Sequence, residues 1–158
     1  MKKLLVLMLT LVIGGGIAVI ATASQVGASS EFTLVAHETN VVFVQAKGTS
    51  LIPSLPLALG DRLLIRSDLT ENGVAVGYAM EEYTQTFNGI SLSDSVFALS
   101  GRGDLHATAL VRPGPGIGLP VVWDLSVEGG TFAYRNAHGS AHRVRLPNND
   151  QAITFALG

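Results

Sequence analysis

Beyond residue 29 the chain holds no stretch of twelve or more residues with apolar side chains at the 3.6-residue spacing of an amphipathic helix. It consists of short runs of alternating or β-branched residues, broken by Asn72-Gly73, Asn88-Gly89, Gly101 to Gly103 and Gly129-Gly130. Residues 31–46 read as one bent or two short strands. Further strands are expected at 61–67, 74–87, 95–99, 105–112, 121–128, 141–146 and 152–157. Pro53 and Pro56 make 50–59 a loop, and Pro113-Gly114-Pro115-Gly116 marks another. Seven or eight closely spaced strands without helices predict an all-β antiparallel barrel or sandwich. The barrel is favoured because closure leaves no exposed edge.

The first residues read differently. Met1-Lys2-Lys3 is a short basic start, Leu4 to Ile13 is almost purely apolar, and Ala21-Thr22-Ala23 precedes Ser24. This is the pattern of a secretory signal, expected to be helical, over residues 1–28. The competing reading is an uncleaved anchor, since residues 4–21 are just long enough to cross a bilayer, and that is the one membrane association the sequence suggests. Either way the domain at 31–158 is expected outside the cytoplasm, as a secreted or otherwise extracytoplasmic protein. The whole chain has 10 basic and 12 acidic residues; without Lys2 and Lys3 the balance is −4. Such a surface is no footprint for nucleic acid. With no cysteine, disulfides, thiol chemistry and zinc–thiolate sites are excluded. The domain must be held by its core.

Three stretches carry a resemblance. Gly60-Asp61-Arg62 leads a strand into Ser67-Asp68-Leu69-Thr70-Glu71-Asn72-Gly73, and Gly101-Arg102-Gly103-Asp104-Leu105 opens an alternating strand. The third is Val127-Glu128-Gly129-Gly130-Thr131-Phe132-Ala133-Tyr134-Arg135-Asn136-Ala137-His138-Gly139. Together they resemble the allene oxide cyclase / dirigent superfamily, whose signature has the form V-x-G-G-T-G-x-Y/F-x-x-A-R-G. Phe132 stands where that signature has glycine, His138 where it has arginine, and the family's proline before Leu69 is missing. The resemblance implies an eight-stranded antiparallel, calycin-like barrel with one small, mostly apolar molecule inside. It also implies cofactor-free chemistry, in which the barrel folds a reactive intermediate and excludes water.

Asp68 falls on the family's loop acid, and Glu38 lies where allene oxide cyclases carry a cavity glutamate; these two are the candidate catalytic residues. Each also has a plainer reading, Asp68 as a turn cap and Glu38 as a solvated strand end. Candidate ligand-binding residues are Tyr78 and Glu82, which share one face of a strand, Arg112 before Pro113, Trp123 and Tyr134. Tyr78 and Glu82 are a polar handle if they point inward and ordinary surface if they point outward. His138 and His142 lie about 13 Å apart on a strand, so they cannot chelate one metal ion. Arg102-Gly103-Asp104 spells an adhesion tripeptide, but it sits where a turn into a strand is needed. No phosphate-binding loop, dinucleotide fingerprint or nucleophile elbow occurs, and no cofactor is implied.

Three functions follow. The first is a barrel binding a small apolar ligand. The second is a cofactor-independent isomerase or cyclase guiding ring closure of a lipid, terpenoid or polyketide intermediate. The third is a structural or interaction barrel without ligand, for instance a homo-oligomeric surface domain.

Overall fold

The computed structural model describes residues 30–46, 58–112 and 119–158. The expected signal segment, most of the 50–59 loop and Pro113 to Gly116 lie outside the described residues. Eight strands follow one another: β1 (Ser30–Val44), β2 (Arg62–Glu71), β3 (Val74–Gln85), β4 (Ser91–Leu99), β5 (Gly103–Val111), β6 (Val122–Gly130), β7 (Gly139–Arg145) and β8 (Gln151–Leu157). Each pairs antiparallel with the next, and β8 returns to β1 to close the barrel. The all-β barrel read from the turn spacing is therefore the fold.

The turn chemistry explains the order. Asn72 and Gly73 both take positive φ, 52° and 79°, and join β2 to β3 in two residues. Asn88-Gly89 ends a single 3₁₀ turn (Phe87–Gly89) rather than a two-residue hairpin. The strand expected at 95–99 begins four residues earlier, at Ser91. The third signature stretch wraps the barrel's end: Gly130 lies against β5, where an added Cβ would sit 2.0 Å from the Asp104 carbonyl oxygen. Thr131 donates its backbone N–H to that same oxygen, and a second 3₁₀ turn (Phe132–Tyr134) follows.

The barrel has two unlike halves. At the end bearing Ser30 and Leu157, the interior is filled by Phe32, Phe97 and Phe155. The Phe32 and Phe155 rings stack at 5.0 Å, and Phe97 meets Phe155 edge-on at 5.1 Å. Tyr134 closes this end over Phe32, with Leu34, Leu69, Leu99, Leu105 and Val127 completing the packing. At the other end small and polar side chains face inward: Ser67 on β2, Ser93 and Ser95 on β4, Ala107 and Ala109 on β5. An eight-stranded barrel has just enough interior for side chains or one small ligand, so small inward residues decide which.

Candidate functional site

The polar half of the barrel is organised around Arg143. Its strand, β7, pairs Arg143 with Trp123 on one side and Ile153 on the other, so the side chain must enter the barrel. The guanidinium is completely buried and meets the equally buried carboxylate of Glu81 on two arms: Nη2 donates to Oε1 at 2.8 Å, and Nη1 donates to Oε2. Tyr83, two residues along β3, donates its phenol to Glu81 Oε2 at 2.9 Å and accepts from Arg143 Nη1 at 3.3 Å. Arg143 Nε donates to Gln151 Oε1, and Gln151 Nε2 donates to Glu38 Oε1 at 2.7 Å.

Glu38 marks where this chain of bonds reaches solvent. β1 pairs with β8 only as far as Ala36 and Gln151, and then runs on beside β2 alone. Glu38 is paired with Ser67, an inward residue, and sits two residues past the last β1–β8 pair, just beyond the contact of His37 with Asp150. Hydrogen bonds thus run from an exposed carboxylate at the opening to a buried ion pair inside.

Burial and the neighbouring Glu81 charge push the Tyr83 phenol well above the ordinary tyrosine range. It therefore stays protonated and acts as a fixed donor. Burial alone would lower the affinity of Arg143 for its proton, but the charge of Glu81 and its hydrogen bonds outweigh it and hold the guanidinium charged.

Trp123 covers the Arg143 guanidinium, which lies 4.9 Å from the ring centroid. Its indole N–H is buried and has no hydrogen-bond partner among the described residues, and the same is true of the Ser67 hydroxyl. Arg145, next inward after Arg143 on β7 and half-buried, has no ion-pair partner among the described residues. The rim is completed by Ser91, which donates to Gln85 Oε1 at 3.1 Å, and by Asp61, whose carboxylate accepts the backbone N–H groups of Ala46 and Ala58.

The residues singled out in the sequence divide between inside and outside. Glu38 and Trp123 belong to the interior arrangement. Asp68 lies within β2 on the outer wall, 3.4 Å from Arg66. Tyr78, opposite Asp68, is also outside, under the Arg66 guanidinium. Glu82 faces outward as well, 3.3 Å from Arg62, and lines a shallow groove of about 240 Å³ with Leu64, Met80, Asp94, Val96 and His106. Arg112 is exposed just past β5. Tyr134 is at the closed end, opposite the polar half, where burial raises its phenol above the usual range. Arg102 of the adhesion-like tripeptide is held by Glu71 at 2.8 Å and lies over Phe32, so it is part of the closed end's packing. His142 is bound to Asp124 at 2.7 Å on the outer face, and no group of metal-binding side chains forms among the described residues.

The residues that build the interior, Glu81, Tyr83, Arg143 and Gln151, were not singled out from the sequence. One signal for them exists. Glu81 and Glu82 are consecutive on a strand, and consecutive strand residues point to opposite faces, so one of them must enter the barrel.

No family model matches the chain, and no curated protein matches it. Among solved structures it is similar to a pyocyanin demethylase, with a TM-score of 0.65 at 17% identity over 82% of this chain and all of the other. It is also similar to a pterocarpan synthase dirigent protein, with a TM-score of 0.55 at 20% identity over 82% of each chain. At these identities the likeness is one of fold. The closed eight-stranded antiparallel barrel that the resemblance implies is the architecture this chain adopts.

Proposed function

We propose that the chain is an exported barrel that binds one small, mostly apolar molecule in its polar half. The observation that carries this reading is the combination of an inner wall of serines and alanines with buried donors that have no partner among the described residues, the Trp123 N–H and the Ser67 hydroxyl. A barrel filled for strength alone gains from larger apolar side chains at those positions and loses about 1–3 kcal/mol for each orphaned polar group. The names of the two neighbouring structures, a pyocyanin demethylase and a pterocarpan synthase, fit a barrel of this kind working on small organic molecules.

A second reading, a cofactor-independent cyclase or isomerase, draws on one specific feature, the buried carboxylate of Glu81 at the end of a hydrogen-bonded path from Glu38. Arg143 already neutralises that carboxylate on both oxygens, which suits a fixed polar floor better than a proton-transfer group. Binding is therefore the primary function, and any turnover follows from the shape the guest is held in.

The sequence has a single tryptophan, so Trp123 reports on the site by itself. Titration of the domain with neutral N-phenyl-1-naphthylamine is expected to quench Trp123 emission saturably at one probe per chain. The lumen-filling variant Ala109→Leu, checked for an unchanged fold by circular dichroism, is expected to abolish this. Absence of saturable quenching, or equal quenching in the variant, overturns the reading.

A further inference from the structure

The wall of the polar half says what its guest must offer. Trp123 is 93% buried, being 7% exposed, and its ring is held by the Arg143 guanidinium at 4.9 Å, so the indole cannot turn its N–H out to water. That N–H has no acceptor among the described residues. Acceptors of the buried network already carry donors: both Glu81 oxygens from Arg143 and Tyr83, and Gln151 Oε1 from Arg143 Nε; at the rim both Asp61 oxygens accept backbone amides. Arg145, on the same face of β7 two residues towards the rim, adds further donors with no ion-pair partner among the described residues. A buried donor without a partner is disfavoured unless something else supplies one.

We infer that the guest is an apolar, ring-bearing molecule with a carbonyl-type hydrogen-bond acceptor, and that Trp123 selects it by donating the indole N–H to that acceptor. This rests on the reading that the polar half holds a guest at all. It goes further in excluding plain hydrocarbons as the preferred class. The aromatic face of Trp123, the small side chains of Ser93, Ala107 and Ala109 and the lack of any other free orienting group on β4 and β5 suit a flat body. The acceptor then fixes its orientation.

Two probes of the same shape separate the terms: fluorene, a hydrocarbon, and 9-fluorenone, which adds one carbonyl oxygen. With one tryptophan, the ¹⁵N-labelled domain gives one indole N–H resonance. Fluorenone is expected to move that proton downfield beyond any shift fluorene causes, because ring-current effects are common to both. In equilibrium dialysis, Trp123→Phe keeps the ring over Arg143 and removes the N–H; it is expected to lower the fluorenone-to-fluorene affinity ratio about three- to tenfold. Equal indole shifts with both probes, or an unchanged affinity ratio in the variant, overturns the inference while leaving a guest-binding barrel in place. Binding of neither probe overturns both.

Discussion

The guanidinium of Arg143 and the carboxylate of Glu81 form a two-armed ion pair in which neither side chain is reached by solvent. Two charges taken that far out of water are stabilised by each other, by Tyr83 and Gln151, and by the Trp123 ring over the guanidinium. Replacing Arg143 by methionine leaves Glu81 uncompensated and is expected to cost about 3–5 kcal/mol. The double replacement Arg143→Met with Glu81→Leu is expected to cost markedly less than the sum of the single changes. Urea unfolding of the four proteins checks this, and additive losses contradict it.

The Tyr83 phenol supplies a pH dependence with a definite sign. Its proton is held more tightly in the folded barrel than in the unfolded chain, whose ordinary value is 10.0. The stability this contributes is complete below pH 10 and is lost as pH rises above it, at up to about 1.4 kcal/mol per pH unit for one phenol. Urea midpoints for Tyr83→Phe are therefore expected to fall less steeply between pH 10 and 11 than those of the wild type. Tyr134 shifts in the same direction but is present in both proteins, so the difference isolates Tyr83.

Two glycines of the third signature stretch are required for space. A Cβ at Gly130 meets the Asp104 carbonyl oxygen at 2.0 Å, and one at Gly139 meets the Ala156 carbonyl oxygen at 2.1 Å. Both obstacles are backbone and cannot swing away. Gly130→Ala and Gly139→Ala are each expected to lose about 3 kcal/mol, read as a lower thermal midpoint. Gly158→Ala, with open space around it, is expected to change nothing.

Exchanges on the outer wall are expected to leave the interior alone. Asp68→Asn, Tyr78→Phe and Glu82→Gln act on side chains that contact Arg66 and Arg62 outside the barrel. Each is expected to change stability by less than about 0.5 kcal/mol and to leave probe quenching of Trp123 unaltered. Glu38→Ala, which releases Gln151, is expected to weaken probe binding.

The apolar inward faces of the barrel are legible in the sequence and the polar ones are not, for one physical reason. On β5, Leu105, Ala107, Ala109 and Val111 alternate with His106, Thr108 and Leu110, and the apolar set faces inward as its pattern says. On β4 the inward positions near the opening are Ser91, Ser93 and Ser95, while Leu92 points out. Polar residues inside and apolar residues outside reverse the pattern, so residues 91–94 do not read as strand. The same reversal hides Glu81 behind Met80 on β3 and Arg143 on β7. A strand's two faces look alike in sequence until one of them is tied to a core, and the polar lumen removes that tie. Glu38 was found through the family resemblance, and the pairing of β1 with β2 brings it inward across a bulge between Glu38 and Asn40 that no spacing reveals.

The central claim is that the polar half of this barrel holds a guest. Native mass spectrometry of the protein purified from the cells that make it tests this most directly. The account predicts a second species, heavier by the mass of one small organic molecule, which disappears on denaturation and is released intact. A single bare mass across repeated preparations, with no uptake of added neutral aromatic probe, contradicts it.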